Sequence, residues 1–354
     1  MIGAGIPPSA GGAWTFRAST QHDAASIAAL LTAAGLNPNT RPEDLSWKYW
    51  RERADWPGSR SYVLCDRGEL VAHGNIVPGE IAWGHERARI IHVVDWAAQP
   101  RAMGAGVSLM KRLGRLADIL LSVGGSSDTR RILPVIGFRP HSSIFACARP
   151  LHPLRILGAS GTRRWKLLPR LARSTLWRLQ APSFRAGSWE AHRIGPEHVH
   201  ELAAVLPRPM HDIGVFRRSE ALFQHLLQCP IVGSELYGVA HSGRMRGYFL
   251  LTFAPRQARL ADLWIDSQDP ADWRALIQCA VSRALQHPDA AEMTGWASDS
   301  ALSQRFLECG FHVRGAQPVM LAVRGNWKPP STLHVQMLDT DAAYLHHGLP
   351  ELWL

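Results

Sequence analysis

Arg101-Ala102-Met103-Gly104-Ala105-Gly106 is the stretch on which the fold of this chain turns. It lies between an apolar run ending at Trp96 and a periodic one, Val107, Met110, Leu113 and Leu116, that reads as a helix reaching about Ile119. A helix N-terminus leaves backbone N–H groups unpaired and carries partial positive charge. Gly104 and Gly106 lack Cβ atoms, so the chain can curl and set those N–H groups against a phosphate, with Arg101 at the mouth of the nest. The stretch therefore spells a pyrophosphate cradle that needs no metal. The competing reading is an ordinary turn at a helix start. No Gly-Lys-Ser/Thr follows, so the stretch is not a P-loop. It comes after the fourth strand rather than the first, which counts against a dinucleotide fold.

Upstream, a short strand is expected at Trp14 to Ala18 and a helix at about Asp23 to Ala34, which Asp23 could cap and Gly35 would stop. Trp47-Lys48-Tyr49-Trp50 forms an aromatic cluster on a second short helix. Strands follow at Ser61 to Cys65, Glu69 to Val77 and Arg89 to Trp96, with Arg67-Gly68 as a hairpin turn. Downstream come a strand at Leu120 to Val123, a short helix and Gly137-Phe138.

From about Ser188 the order repeats. Strands are expected at Glu190 to Ile194, Glu235 to Ala240, Gly247 to Phe253, Arg259 to Ile265 and Glu292 to Trp296. Helices are expected at Glu197 to Leu206, Glu220 to Leu227 and Asp272 to Gln286, before Gly310-Phe311. The interval from strand-to-helix loop to Gly-Phe is similar in both halves, Arg101 to Gly137 and Asp269 to Gly310. This is a divergent internal duplication, argued from element order. The resulting layout is a flexible N-terminal arm at 1–13, a first domain at 14–150, a basic linker at 151–187, a second domain at 188–325 and a C-terminal extension at 326–354. The fold class is α/β, an α+β mixed sheet in two tandem domains.

Composition sets further bounds. A hydrophobic fraction of 46% and a charged fraction of 19% belong to globular chains, and 354 residues suffice for two cores. No apolar run approaches the roughly 20 residues that cross a bilayer, and the apolar start lacks the basic residues of a secretory signal. The five cysteines are scattered and odd in number, which points to reduced, mostly buried thiols, no zinc site and a cytoplasmic location. The net charge of +10 is local: nine basic residues and no acid lie between Cys147 and Trp189, and the rest of the chain is near neutral.

Arg101 to Gly106 matches the Q/R-x-x-G-x-G/A loop of the GNAT superfamily of N-acetyltransferases, in the place where that family carries it. Trp47 to Trp50 and Gly137-Phe138 resemble further landmarks, so the resemblance covers about residues 14 to 150. The second half resembles the family in element order and in Arg305-Phe306-Leu307-Glu308-Cys309-Gly310-Phe311. The resemblance implies a tandem GNAT-like protein whose second copy is degenerate. It implies an acyl-coenzyme A co-substrate, most simply acetyl-CoA, held by Arg101, Ala102, Met103, Gly104, Ala105 and Gly106. The pantetheine arm would lie in a gap beside the strand Ile91 to Ala97, with Val93, Val94 and Trp96 near the thioester. Ser126, in Ser126-Ser127-Asp128-Thr129, stands where polar groups near the acyl-CoA are found, and reads equally as a helix cap.

Acyl transfer needs a base for the acceptor amine and an acid for the departing thiolate. His92 and Asp95 are the catalytic candidates, and their odd spacing places them on opposite faces of a regular strand. Each also has a bland alternative, a satisfied half-buried histidine and a carboxylate paired at a strand end. The family's tyrosine four residues before the Gly of Gly-Phe is Leu133 here and Phe306 in the second half. In the second half the loop Asp266 to Asp272 has no glycine and carries acids, which disfavours an anion. Asp262 and Asp266 there read as solvated strand-end carboxylates or as contacts for a cationic acceptor.

The function expected is N-acyltransfer, most simply N-acetyltransfer, to a small-molecule amine, with an amino sugar or a cell-envelope polysaccharide precursor as the leading acceptor. A catalytically silent GNAT-like binding protein and an aminoacyl or long-acyl transferase are the alternatives. The segment 163–180 alternates arginines with Leu167, Leu171 and Leu176 between Trp165 and Trp177. It suits either a linker helix or peripheral contact with an anionic membrane on the inner face. No nucleic acid is expected, because nothing elsewhere extends a basic-aromatic surface.

Overall fold

Why the two halves form one object is explained by how two long strands pair. The first half supplies β1 (Thr15–Ala18), β2 (Ser61–Asp66), β3 (Glu69–Trp83), β4 (Glu86–Ala98), β5 (Ile119–Val123) and β6 (Arg139–Pro150). The second supplies β7 (Trp189–Ile194), β8 (Ile213–Phe216), β9 (Gly233–His241), β10 (Arg244–Ala254), β11 (Gln257–Ile265), β12 (Glu292–Ala297), β13 (His312–Val323) and β14 (Thr332–His334). The computed structural model describes residues 14–37, 39–158, 164–183 and 187–346. The N-terminal arm expected at 1–13 lies outside them.

The main path of the sheet runs β1-β2-β3-β4-β5-β13-β6-β12-β11-β10-β9-β7, with β8 and β14 off it. From either end the path is the same sequence of elements, and the antiparallel pair β13 and β6 is its centre. β13, from the end of the chain, pairs with β5 of the first half, and β6 pairs with β12 of the second. Each half thus completes the other's sheet. The two parallel contacts on this path, β4 with β5 and β11 with β12, occupy matching places.

The two Gly-Phe landmarks share one local backbone geometry. Gly137 and Gly310 both hold positive φ, +101° and +79°, the left-handed backbone that ends a helix and that glycine adopts without strain. Beside them Phe138 N–H donates to the Leu133 carbonyl and Phe311 N–H to the Phe306 carbonyl, each at 3.0 Å. Leu133, Phe138, Phe306 and Phe311 are all buried. Filling the core at such a position stabilises by roughly 1.5–3 kcal/mol per side chain. Leu133 and Phe306 are therefore packing residues at the place where the family's tyrosine is expected.

Helices cover the sheet: α1 (Ala24–Ala33), α2 (Pro42–Leu45) continuing into a π-helical turn at Ser46–Trp50, α3 (Ala105–Leu113), α4 (Ser127–Ile132), α5 (Arg164–Gln180), α6 (Glu220–Leu227), α7 (Pro270–Gln286) and α8 (Ser300–Glu308). The stretch expected as a helix at Glu197 to Leu206 is a 3-10 coil over Pro196–Val205, and helix α3 ends at Leu113, short of Ile119. Helix α5 crosses Pro169, which at its sixth position costs one intrahelical hydrogen bond. Trp177 of α5 stacks on His312 of β13 at 3.8 Å, with Arg173 and Arg314 over the same ring. Leu168, Leu176 and Leu179 face solvent. Trp165 lies where side chains are not described.

The segment set apart as a C-terminal extension enters the core instead. β14 pairs with β8, and Leu333, Val335, Met337, Leu338, Ala343 and Tyr344 pack in the cluster between the two halves. Leu333 to Met337 are all buried, with Leu333, Val335 and Met337 in that cluster and His334 and Gln336 in polar contact with each other at 3.3 Å. Four of the five cysteines are buried, none is in a disulfide, and burial pushes the Cys147 and Cys309 thiols up to about 12. Among the described residues no helix is long and apolar enough to cross a membrane.

Candidate functional site

Strands β4 and β5 run side by side only from Ile90 to His92, opposite Ile119 to Leu121. Beyond His92, β4 continues to Ala98 with β3 on its other side, while β5 keeps β13 as its partner. The facing edges separate, and their backbone groups point into the gap. Gly106 closes the top of this gap: a Cβ there would stand 3.4 Å from Ala98 Cβ and 3.5 Å from Trp96 Nε1. Trp96 Nε1 donates to the Gly106 carbonyl at 3.0 Å, which fixes the loop against the strand.

Gly104 is the N-cap of α3 and holds φ +82°. Ala102 N–H donates to the Gln99 carbonyl and Ala105 N–H to the Ala102 carbonyl, each at 3.0 Å, so the loop is a pair of tight turns. Ser108 N–H is the first to find a carbonyl below it, that of Gly104. The N–H groups of Gly106 and Val107 have no partner among the described residues. No side chain caps this helix, so its positive end is open. Ala102, Met103, Gly104 and Gly106 border a cleft of about 870 Å³ together with His92, Val93, Val94, Asp95, Trp96 and Ser126. Ala105 is buried beneath the loop. Arg101 turns away, pairing with Glu69 at 2.5 Å and with Gln99 Oε1 at 2.6 Å. Both charged side chains of that pair are exposed, so little free energy, on the order of 0–1 kcal/mol, holds Arg101 there. Ser126 caps α4, accepting from Thr129 N–H at 3.2 Å.

His92 and Asp95 border the same cleft although a regular strand would part them. The reason is a bulge: Asn75 pairs with Val94 and His73 with Ala97, so Asp95 and Trp96 oppose Gly74 alone. Asp95 holds φ +50° there. Its carboxylate takes Lys48 Nζ at 2.6 Å and the Tyr49 hydroxyl at 2.7 Å, both from the π-helical turn. Burial opposes the charge, but Lys48 and the two hydrogen bonds outweigh it and hold the carboxyl below its usual range. Its backbone carbonyl accepts from His73 Nδ1 at 3.1 Å. A relay stands behind: Trp50 Nε1 donates to Ser19, Ser19 to Ser61, and the Ser61 hydroxyl to His73 Nε2. Burial pulls His73 down to about 4, so it is neutral. Asp95 anchors the bulge, and a carboxylate so strongly paired is a weak base.

His92 is placed differently. Its Nδ1 lies 3.0 Å from the Leu121 carbonyl; donation there leaves the lone pair on Nε2. Burial lowers its pKa, against the opposing pull of Asp341 and the Leu121 carbonyl, and favours the neutral imidazole. Asp341 comes from the C-terminal segment and borders the cleft beside His92. Its carboxyl is pushed up by burial, with Lys48 working against that shift and Asp95 adding to it. The acids of Leu338-Asp339-Thr340-Asp341, directly after an alternating apolar run, were the available signal for this contribution. His92 also borders a second cavity of about 390 Å³, lined further by Arg53, Arg89, Arg218 and Asp339.

The matching place in the second half is built differently. β11 and β12 pair from Gln257 to Leu260, opposite Glu292 to Gly295, and then part. Trp264, Trp273 and His334 meet edge-on beside that point, with centroids 5.2 to 6.2 Å apart. The N-terminus of α7 is capped by Asp269, whose carboxylate accepts from Ala271 N–H at 2.8 Å. Asp262 is neither solvated nor free: it is buried and takes Arg218 in a bidentate pair at 2.8 Å. The bulge between β10 and β11 turns it inward. Among the described residues no group of three or more His, Cys, Asp or Glu side chains is arranged to hold a metal.

No protein-family model and no curated protein matches the sequence. Solved structures match in fold. A GCN5-related N-acetyltransferase from Anabaena variabilis is 13% identical, with a TM-score of 0.56 over 87% of this chain and 72% of that one. A probable N-acyltransferase from Enterococcus faecalis is 11% identical, with a TM-score of 0.56 over 88% and 72%. Saccharomyces cerevisiae N-myristoyltransferase with bound myristoyl-CoA and inhibitors is 12% identical, with a TM-score of 0.58 over 93% and 84%. The chain shares the GNAT-like acyltransferase fold of these proteins.

Proposed function

We propose that this chain is an acyl-CoA-dependent N-acyltransferase, most simply an acetyltransferase, whose first half holds the acyl-CoA and whose second half is a degenerate copy. The observation that carries the proposal is the gap between β4 and β5, which ends on the uncapped helix start at Gly104. The N–H groups of Gly106 and Val107 and the positive end of α3 suit a pyrophosphate, and Arg101 can leave Glu69 to join them. The free edge at Val93 and Val94 suits the amides of a pantetheine arm. The counterpart in the second half, with its aromatic rings and a helix start capped by Asp269, supports a single cofactor site.

Acyl-CoA supplies an activated thioester; the chain supplies position and a proton path. An acceptor amine near His92 gives up a proton to Nε2 as its nitrogen bonds to the acyl carbon and the carbon–sulfur bond breaks. The proton then returns from Nε2 to the sulfur, directly or through water, so that an amide and a thiol result. This route needs no tyrosine at position 133. Backbone N–H groups on the side of β4 that leaves β5 beyond His92 would be the donors for the acyl oxygen.

The second reading, a catalytically silent acyl-CoA-binding protein, is favoured by Leu133 and Phe306 in place of the tyrosine. Release of coenzyme A from acetyl-CoA in the presence of amines separates the two. His92→Gln is expected to lower the turnover by about 10²–10⁴-fold with acetyl-CoA binding kept. No amine-dependent release from the wild type supports the silent reading.

The outward leucines of α5 and the absence of acids between Cys147 and Trp189 support peripheral contact with an anionic membrane surface. Trp177 takes no part, because it is stacked on His312.

A further inference from the structure

The cavity that shares His92 with the cleft has an uneven charge layout, and its assignment to a ligand rests on the acyltransfer reading. Its volume of about 390 Å³ falls in the range of about 300–1,000 Å³ typical of small-molecule sites.

Its inner wall is one positive charge short. Arg218 grips Asp262 through Nε and Nη2, both at 2.8 Å, and reaches Asp339 through Nη1 at 2.6 Å and Nη2 at 3.3 Å. All three side chains are buried. The Tyr248 hydroxyl donates to Asp262 and Gln336 N–H to Asp339, yet neither brings charge. His334, whose pKa burial lowers, is neutral as well. One guanidinium therefore serves two carboxylates. Burial pushes the Asp339 carboxyl up to about 6, with Arg218 opposing that shift and the charge of Asp262 adding to it. Of the two carboxylates, Asp339 is the one on the cavity wall.

The outer wall has the opposite imbalance. Arg89, on the same strand as His92, lies over the Trp56 ring at 5.9 Å and has no ion pair among the described residues. Arg53 is taken up by Asp55 through two hydrogen bonds at 3.0 and 2.7 Å. Arg217 reaches Glu80 only at 3.4 Å. A charge deficit inside and a free guanidinium outside, with His92 on the wall between cavity and cleft, describe a ligand with two unlike ends.

We propose that this cavity binds the acyl acceptor, a small zwitterionic primary amine whose ammonium group lies against Asp339 and whose anionic group, a carboxylate or a phosphate-like group, lies against Arg89. The ammonium completes the charge of the Arg218, Asp262 and Asp339 cluster. On acylation the nitrogen loses two protons: one ends on the coenzyme A sulfur and the other passes by way of His92 to solvent.

Calorimetric titration of the protein, with and without saturating acetyl-CoA, tests this with four probes: γ-aminobutyrate, 2-aminoethylphosphonate, butylamine and butyrate. At least one of the two zwitterions should bind tenfold or more tightly than both butylamine and butyrate, and the better of the two identifies the anion. Arg89→Ala, an exposed change, should bring zwitterion and butylamine to within about twofold. Asp339→Asn should do the same for zwitterion and butyrate. Failure of both zwitterions to bind, or an unchanged preference in Arg89→Ala, overturns the assignment. Acetyl-CoA binding is scored separately: zwitterion binding without acetyl-CoA binding overturns the acyltransfer reading and keeps the cavity, and the reverse overturns the cavity alone.

Discussion

Lys48 Nζ lies 2.6 Å from Asp95 Oδ2, and the residue it holds is the one bulge position of β4 with positive φ. A lysine in the aromatic cluster thus sets the shape of the strand that borders the cleft. Lys48→Met would leave the Asp95 carboxylate buried with the Tyr49 hydroxyl but no counter-ion, at a cost of about 3–5 kcal/mol. Urea unfolding should show that loss, and Lys48→Met combined with Asp95→Asn should recover much of it. A single-variant loss below about 1 kcal/mol would contradict the role given to the pair.

His73 should make stability fall on acidification. Its folded-state pKa is depressed to about 4 from an ordinary value of 6.5, so the unfolded chain takes up a proton first as pH drops. The stabilisation is complete above about 6.5 and is lost between about 6.5 and 4, an amount on the order of 3 kcal/mol. Asp339, raised to about 6, works the other way as pH falls. The comparison is therefore between wild type and His73→Asn, whose difference in unfolding free energy should shrink as pH falls from 7 to 4. A difference that is constant with pH would contradict it.

The two helix starts should respond differently. Asp269→Ala removes the carboxylate that caps α7 and should cost about 1 kcal/mol of stability, leaving acetyl-CoA binding unchanged. Thermal unfolding and calorimetry on the same variant check both halves of this statement. A loss of acetyl-CoA affinity would place the cofactor in the second half.

Helix α5 should carry the protein to membranes. Flotation with vesicles rich in anionic lipid is expected at low salt and is expected to fail when Leu168, Leu176 and Leu179 are changed to Glu. Flotation of neutral vesicles to the same extent, or no flotation at all, would remove the contact.

Much of this architecture was legible because the pattern is local. Glycine at 104 and 106 after an apolar strand announces an open helix start, and α6 falls at Glu220–Leu227 as its periodicity requires. Gly-Phe at 137 and 310 marks equivalent helix ends for the same reason. What escaped the sequence is pairing between distant segments. Nothing in His312 to Val323 states that it will lie between β5 and β6, since sheet partners are chosen by the whole fold. The bulge at Asp95 hides in the same way: period-two alternation assumes unbroken pairing, and the partner of Asp95 is a lysine on a helix far upstream. Asp339 and Asp341 are hidden for a related reason: they lie on short 3-10 turns after β14, and a sequence of two such turns has no period that announces burial.

The most direct test is calorimetric titration of acetyl-CoA into the wild type and into Gly106→Val. The side chain added at 106 would press on Ala98 and Trp96, which stand 3.4 and 3.5 Å from a Cβ there, and would crowd the backbone N–H that faces the cleft. Wild-type binding in the micromolar range, weakened at least tenfold in the variant with the fold intact by circular dichroism, is the expected result. No wild-type binding, or equal binding by both proteins, would contradict an acyl-CoA site at the parting of β4 and β5.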